Sequence, residues 1–418
     1  MNKLILRPSP PLQGEIHVSG SKNAALPILA ASILADGLVE LQNVPSLTDV
    51  SAMCEILECL GCRVDLNGDG TCRIDTQNIT NYIAPYDLAS KMRGSFLIMG
   101  PMLAKYGKIR ISLPGGCPIG SRPVDLHLKG FAALGAEINQ GYGYIEVSAA
   151  RLRSTKVYLD FPSVGATENI LMAATLAEGV TTLENAAVEP EIVDLANFLC
   201  SMGAIIYGAG TDTIKIHGVS RLSGTMHSII SDRIEAGSFM VAAAITHGNV
   251  KICNIIPDHL KPITAKLRET GAEIAAEDTC ITVRADGNFN PIDVKTLPFP
   301  GFPTDMQAQM MALLSVTEGT SIITETIFEN RFMHAAELNR MGANIKVEGR
   351  TAVIEGTTEL TGSQVKATDL RAGASLVLAG LVAKGCTEIS DIYHIERGYD
   401  ALDIKLQSLG ANIEKITL

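Results

Sequence analysis

Apolar residues recur at helical spacing in long stretches of this chain, and each stretch ends in a glycine-centred turn followed by a short apolar run. This arrangement appears six times, with 68 to 74 residues between successive glycines. Each glycine fits the left-handed position just past a helix, and the run after it fits a strand. The six turn glycines are Gly61, Gly135, Gly203, Gly271, Gly342 and Gly410.

A second series of helical stretches, rich in alanine and leucine, also ends six times at a glycine and is followed by an alternating run such as Val39-Glu40-Leu41. The repeat is therefore helix, strand, helix and strand pair. Its period of about 70 residues exceeds the 20 to 50 typical of solenoids. We predict a mixed α/β (α+β) fold in two domains of three repeats, 21–229 and 1–20 with 230–418. An extra strand, Leu4 to Val18, should join one of them.

The predicted helix starts carry many of the polar residues. The first series opens near Lys22, Arg93, Ser163, Arg233, Thr304 and Asp369, and the second near Asp49, Arg122, Glu191, His259, Arg331 and Arg397. Arg122 and Arg397 each precede their repeat glycine by 13 residues, so they are equivalent positions. Because helix N-termini attract anions, a cleft between the domains would suit a phosphate or carboxylate. The alternative for any single arginine is a solvated surface position.

Composition narrows the class of protein. The chain has 418 residues, 46% of them hydrophobic and 19% charged, which is typical of a folded core. A net charge of −11 argues against non-specific binding to nucleic acid or to an anionic membrane. No apolar run is long enough to span a bilayer, and the first residues lack the apolar core of a signal peptide. We expect a cytoplasmic protein with no nucleic-acid or membrane partner.

Nine cysteines, an odd number, indicate reduced thiols. Cys59 and Cys62 have the spacing of a metal-binding pair. Cys62, however, takes the place that alanine fills in the other five repeat turns, so we interpret it as a small core residue. The sequence therefore predicts no metal site.

One loop, residues 113–123, combines three glycines, three prolines and the thiol of Cys117, with Arg122 five residues further on. Glycine allows a close backbone approach to a ligand, and an exposed cysteine near positive charge is reactive. The alternative is a tight turn around a buried cysteine.

The six repeats, the Lys22-Asn23 pair and the Cys117 loop together resemble the enolpyruvyl transferases over essentially the whole chain. The resemblance implies a two-domain, inside-out α/β barrel-like fold with the active site between the domains. The blocks that carry it are 20–27, 114–127, 163–168, 303–307, 329–332, 369–373 and 396–399.

The resemblance implies transfer of the enolpyruvyl group of phosphoenolpyruvate to the 3′-hydroxyl of UDP-N-acetylglucosamine, a step of peptidoglycan synthesis, without metal or organic cofactor. Cys117 takes the family's acid position on a lid-like loop and would be the residue that fosfomycin alkylates. Asp305 matches the proposed base, although its position alone also fits a plain helix N-cap.

The remaining site residues follow from the same resemblance. Lys22, Arg122 and Arg397 match a cationic clamp for phosphoenolpyruvate, supported by Arg93 and Arg331, and Asn23 lies near the reacting groups. The resemblance assigns further residues to binding of the nucleotide sugar, or to coupling the closure of the site to the chemistry. They are Arg122, Pro123, Val124, Asp125, Leu126, Ser163, Val164, Gly165, Asp305, Ile327, Asp369 and Arg371.

One position departs from the family pattern. Many members carry a lysine where this chain has Phe161, and that lysine contacts the nucleotide diphosphate. We expect the backbone N–H groups near Ser163 to carry more of that contact here. Two alternatives are a shikimate-type enolpyruvyl transferase, which lacks the cysteine loop, and a non-catalytic nucleotide-sugar-binding paralogue. The sequence leaves the oligomeric state undetermined.

Overall fold

The structure is a computed structural model that describes residues 2–113, 115, 119–120, 123–141 and 143–417. Its contacts divide the chain into two compact units, and the chain passes between them at Ser19–Gly20, on either side of residues 119–120 and at Ile230–Ser231. The N-terminal unit comprises the described residues of 20–116 and 122–230. The C-terminal unit comprises residues 2–19, 119–120 and 231–417.

Two helical segments belong to each repeat, one before and one after its first strand. Their bounds are α1 Lys22–Ala31, α2 Thr48–Leu60, α3 Tyr86–Ala89, α4 Met99–Tyr106, α5 Asp125–Ala133, α6 Val164–Ala174, α7 Pro190–Ser201, α8 Arg233–Ile245, α9 Lys261–Thr270, α10 Gln307–Ser315, α11 Met333–Arg340, α12 Leu370–Val382, α13 Tyr393–Glu396 and α14 Leu402–Ser408. Short 3₁₀ turns span Ser32–Leu34, Arg93–Ile98, Pro257–Leu260 and Thr304–Met306.

The strands are short. Their bounds are β1 Asn2–Leu6, β2 Gln13–His17, β3 Ala35–Asp36, β4 Leu38–Gln42, β5 Arg63–Leu66, β6 Cys72–Asp75, β7 Ile83–Ala84, β8 Lys108–Ser112, β9 Glu137–Gln140, β10 Tyr144–Ser148, β11 Lys156–Tyr158, β12 Val180–Glu184, β13 Ile205–Tyr207, β14 Thr213–His217, β15 Leu222–Ser223, β16 Met226–Ser228, β17 Asn249–Cys253, β18 Glu273–Ala276, β19 Cys280–Arg284, β20 Val294–Lys295, β21 Thr320–Thr324, β22 Asn344–Glu348, β23 Thr351–Glu355, β24 Gln364–Lys366, β25 Thr387–Ser390 and β26 Ile413–Thr417.

The strands of the repeats form open sheets of four. The N-terminal unit has the orders β16-β4-β6-β5, β7-β8-β10-β9 and β11-β12-β14-β13. The C-terminal unit has β2-β17-β19-β18, β20-β21-β23-β22 and β24-β25-β1-β26. In each repeat one strand between the two helices lies second in its four-stranded sheet and pairs antiparallel with the third. These strands are β4, β8, β12, β17, β21 and β25. This regularity confirms the predicted helix–strand–helix–strand-pair repeat.

The helices of the first series are apolar around most of their circumference and are buried. Every residue of α8 after Arg233 is buried, and so is every residue of α12 up to Leu381. A helix that is apolar on all sides belongs in a core. Each unit accordingly has its own hydrophobic core, built from these helices and from the inward side chains of the alternating strands.

Three expectations need correction. The N-terminal segment forms two strands rather than one, β1 in the sheet of the sixth repeat and β2 in that of the fourth. Arg397 does not open a helix, because it follows α13 and the next helix begins at Leu402. Cys253 and Cys280 lie opposite each other on β17 and β19 and form a disulfide, so these two thiols are not free.

Candidate active site

The carboxylate of Asp305 lies between two arginines in the C-terminal unit. Its Oδ1 accepts a hydrogen bond from Arg331 Nη2 at 2.7 Å, and its Oδ2 accepts from Arg371 Nη2 at 3.0 Å. Asp305 stands in the 3₁₀ turn before α10, where Pro303 is the N-cap of the turn and Met306 is the N-cap of the helix. The plain N-cap alternative is therefore wrong for Asp305, and its side chain is 26% exposed.

Arg371 is fixed from two directions. Asp369 is the N-cap of α12, and its Oδ1 accepts from the backbone N–H of Arg371 at 2.9 Å and of Ala372 at 3.1 Å. The guanidinium lies 5.3 Å from the ring centroid of Tyr399. Burial alone would lower the pKa of Arg371, but the charge of Asp305 opposes it and the pKa is raised. Arg371 is therefore a permanent buried cation.

Arg331 is also buried and is held by the residue before Asp305. Its Nη1 donates to Thr304 Oγ1 at 2.9 Å, and Thr304 Oγ1 donates to Glu325 Oε2 at 2.8 Å. The other carboxylate oxygen of Glu325 accepts from the backbone N–H of Ile327 at 2.8 Å. The structure thus brings Asp305, Ile327 and Arg331 into one hydrogen-bonded cluster.

Tyr399, two residues after Arg397, connects the Arg397 segment to the Asp305 turn. Its hydroxyl is 2.8 Å from Ser238 Oγ and accepts from Gln309 Nε2 at 3.0 Å. The same Gln309 nitrogen donates to the backbone carbonyl of Asp305 at 2.9 Å. The segment that carries Arg397 is therefore tied to the turn that carries Asp305.

In the N-terminal unit, Lys22 is the first residue of α1 and Asn23 the second. Lys22 Nζ lies 3.5 Å from Oδ2 of Asp49, which stands in the first turn of α2. Both side chains are largely buried, at 13% and 7% exposure. The Asp49 carboxylate therefore restricts the position of the Lys22 ammonium.

Arg93 and Pro123 are in direct contact, since Arg93 Nη2 donates to the carbonyl of Pro123 at 3.0 Å. Pro123 and Val124 precede α5, and Asp125 and Leu126 are its first residues. Arg93 thus holds the backbone of the segment predicted to contact the uridine.

His127 packs these segments together. Its Nδ1 lies 2.9 Å from Asn169 Nδ2 on α6, and its ring meets the ring of Phe96 edge-on at 5.1 Å. Burial lowers the pKa of His127 to about 3, so the ring is neutral and Nδ1 accepts the hydrogen bond. A Cβ added to Gly165 would lie 3.2 Å from His127 Cε1.

The segment predicted to contact the diphosphate forms the start of α6. Ser163 is its N-cap, Ser163 Oγ accepts from the N–H of Ala166 at 3.4 Å, and Val164 and Gly165 form the first turn. The side chain of Phe161 leaves 45% of its surface exposed. The N–H groups of such a helix start attract phosphate.

Cys117 and Arg122 lie outside the described residues, so their predicted roles stay predictions. Within the same loop, the carbonyl of Ile119 accepts from the N–H of Asn330 at 3.0 Å, in the C-terminal unit. Among the residues that the structure describes, no group of three or more His, Cys, Asp or Glu side chains could hold a metal ion. Cys62 is buried in the core, as its repeat position predicted.

Comparison with known proteins identifies the family. A family model described as EPSP synthase (3-phosphoshikimate 1-carboxyvinyltransferase) matches residues 6–406. The chain belongs to this enolpyruvyl transferase family. The fold agrees, because the structure of the enolpyruvyl transferase NikO from Streptomyces tendae superposes with a TM-score of 0.90 at 25% identity, covering 100% of this chain and 99% of that one.

Sequence relatives of this enolpyruvyl transferase are similar over their full length. The UDP-N-acetylglucosamine 1-carboxyvinyltransferase 1 of Caldanaerobacter subterraneus subsp. tengcongensis is 59% identical over 98% of this chain and 99% of its own. The UDP-N-acetylglucosamine 1-carboxyvinyltransferase 2 of Carboxydothermus hydrogenoformans is 58% identical over 100% of both chains.

The sequence analysis gave no site role to several residues that hold the predicted ones. Asp49, Thr304, Gln309, Glu325 and Tyr399 contact predicted site residues directly. Ser238 contacts Tyr399, and His127 packs against Phe96 and Asn169. A signal existed for Glu325, a carboxylate that directly follows an apolar alternating strand, and for Tyr399, which follows Arg397-Gly398. Within the described part of the chain, no helix is both long and apolar enough to cross a membrane.

Proposed function

We propose that this enolpyruvyl transferase moves the enolpyruvyl group of phosphoenolpyruvate to the 3′-hydroxyl of UDP-N-acetylglucosamine and releases phosphate. Two full-length relatives at 58% and 59% identity bear the name of that reaction. The observation that carries the proposal is the Asp305 carboxylate, aligned by Arg331 and Arg371 yet still partly open to solvent. A base must be held in place and still reach its substrate.

The reaction proceeds by addition and then elimination. Asp305 takes the proton of the sugar hydroxyl as its oxygen bonds to C2 of phosphoenolpyruvate, and the acid Cys117 protonates the methylene carbon. The resulting tetrahedral ketal then returns a proton from its new methyl group to the Cys117 thiolate while the C2–O bond to phosphate breaks. Lys22, Arg122 and Arg397 offset the charge of the phosphate and carboxylate groups, with Arg93 and Arg331 in support. Asn23 follows Lys22 and hydrogen-bonds near the reacting groups.

The nucleotide sugar contacts three groups of residues. The segment from Arg122 to Leu126 takes the uridine, the start of α6 from Ser163 to Gly165 takes the diphosphate, and Asp305 and Ile327 take the sugar. Asp369 and Arg371 stabilise the position of Asp305. Both substrates are charged metabolites of the cytoplasm, where we place the reaction.

Phosphate release with both substrates tests this proposal. We expect turnover that requires phosphoenolpyruvate and UDP-N-acetylglucosamine together. Turnover with shikimate 3-phosphate in place of the nucleotide sugar would instead support the shikimate-type alternative. Binding of the nucleotide sugar without phosphate release would support the non-catalytic one.

Fosfomycin tests the acid separately. We expect mass spectrometry to find one fosfomycin adduct on the wild-type protein, located on Cys117, and none on Cys117→Ser. A labelled Cys117→Ser variant, or an unlabelled wild type, would remove Cys117 from the proposed chemistry.

A further inference from the structure

A buried carboxylate outside the predicted site lies between two of its parts. Glu325 directly follows β21, and 1% of its surface is exposed. Oε1 accepts hydrogen bonds from the backbone N–H groups of Ile327 at 2.8 Å and Phe328 at 3.2 Å, and from Thr296 Oγ1 at 2.9 Å. Oε2 accepts from Thr304 Oγ1 at 2.8 Å.

The two oxygens of Glu325 hold different segments. Through Oε1 the carboxylate shapes the turn of Ile327, which we propose contacts the sugar. Through Oε2 it orients the hydroxyl of Thr304, which accepts from Arg331 Nη1 at 2.9 Å. Arg331 in turn holds Oδ1 of Asp305 at 2.7 Å. A continuous chain of short hydrogen bonds therefore links the sugar contact to the base.

We infer that Glu325 is a positioning residue, which sets the place of the acceptor sugar relative to Asp305 by spanning the Ile327 turn and Thr304. This inference rests on the roles proposed above for Ile327 and Asp305. Because a misplacement of about 1 Å can cost on the order of a hundredfold in rate, the length of the Glu325 side chain should matter more than its charge.

A pair of conservative variants separates reach from charge. Glu325→Asp keeps the charge but is one methylene too short to hold both segments. Glu325→Gln keeps the length, an oxygen for the two N–H groups and an amide N–H₂ that can donate to Thr304 Oγ1. We expect Glu325→Asp to raise the KM for UDP-N-acetylglucosamine about fivefold and to lower kcat about tenfold, the size of one lost hydrogen bond or more. Glu325→Gln should stay within about threefold of wild type in both.

Binding of UDP distinguishes a specific effect on the sugar from a general loss of structure, because a general loss of structure would also weaken UDP. It lacks the sugar, so its Kd, measured by calorimetry, should stay within about twofold of wild type in Glu325→Asp. Ser321→Ala is the matched control, since Ser321 is buried on β21, the strand that Glu325 follows, and accepts from the N–H of Ile292 at 3.1 Å. It should lower the melting temperature and leave the KM unchanged.

The inference fails if Glu325→Asp leaves the KM for the nucleotide sugar unchanged, if it weakens UDP equally, or if Glu325→Gln is impaired as much. Should Glu325→Asp not fold, Thr304→Val decides, because it cuts only the arm to Arg331. It should lower kcat about tenfold with nucleotide-sugar affinity intact, and a wild-type kcat would overturn the inference. Failure of the proposed function is a different result, namely a wild-type protein that releases no phosphate.

Discussion

Arg371 donates to Oδ2 of Asp305 from two nitrogens, Nη2 at 3.0 Å and Nε at 3.3 Å. The guanidinium is 2% exposed, whereas the carboxylate is 26% exposed. A buried cation depends on its partner for charge compensation, because water cannot replace it. The fold therefore needs Asp305 as a charge, independently of any role for it as a base.

Replacement of Asp305 by Asn should reduce both stability and activity. Arg371 would lose its charged partner, and breaking a buried pair costs on the order of 3 kcal/mol. Loss of a general base typically costs about a hundredfold or more in kcat. Urea unfolding and phosphate release measure the two effects. Asp286→Asn, which removes an exposed carboxylate of the same unit, should change neither. An Asp305→Asn variant with wild-type turnover would exclude Asp305 as the base.

The contact between Lys22 and Asp49 leads to a prediction about phosphoenolpyruvate. Asp49→Asn removes the charge 3.5 Å from Lys22 Nζ, so the lysine should be less well positioned. We expect the KM for phosphoenolpyruvate to rise about five- to tenfold, which corresponds to about 1 to 1.4 kcal/mol. Glu55→Gln is the matched control on the same helix, since it breaks an exposed pair with Lys91. Equal effects of both variants would contradict a specific role for Asp49.

Local patterns predicted the repeat because each copy uses the same backbone geometry. All six turn glycines have φ between 94° and 112°, the conformation in which glycine is favoured. The N-terminal segment was predicted less well, although Pro8, Pro10 and Pro11 explain why it forms two strands. Proline removes backbone N–H donors, so the segment breaks into β1 and β2.

The supporting residues of the site could not be predicted in the same way. Glu325 and Thr304 are 21 residues apart in sequence, and Gln309 and Tyr399 are 90 apart. Their contacts depend on how helices and sheets pack, and no local pattern encodes that. The Cys253–Cys280 pair likewise depends on the register of β17 and β19. The short helix α13, which displaced the predicted helix start at Arg397, is too brief to leave a periodic signal.

The start of α6 allows the backbone contribution to nucleotide binding to be measured. Gly165→Pro removes one N–H from the first helical turn, where proline is tolerated, and Gly165→Ala keeps that N–H. Alanine places a Cβ 3.2 Å from His127 Cε1, so Gly165→Ala measures crowding alone. We expect Gly165→Pro to weaken UDP-N-acetylglucosamine at least about fivefold more than Gly165→Ala, the size of one hydrogen bond to a charged group.

Calorimetric titration with UDP-N-acetylglucosamine provides that comparison, and Gly68→Ala provides its baseline. Gly68 is in the same unit, and an added Cβ there meets nothing within 4 Å. Affinity that is the same in Gly165→Pro and Gly165→Ala would show that this N–H does not bind the diphosphate.

His127 gives the N-terminal unit a pH-dependent stability whose sign follows from its burial. Its pKa is about 3 in the folded state and about 6.5 in the unfolded chain. The stability it contributes is therefore present above pH 6.5 and is lost as the pH falls toward 3, by about 1.4 kcal/mol per pH unit.

In His127→Gln the side chain does not titrate but retains an oxygen that can accept from Asn169 Nδ2. Between pH 8 and 4.5 the wild type should therefore lose about 2 to 3 kcal/mol more than the variant. Urea unfolding at each pH measures this difference, and the other titrating groups, such as His334 and Glu235, cancel because both proteins contain them. Parallel stability curves for the two proteins would mean that His127 is protonated, or exposed to solvent, in the folded state.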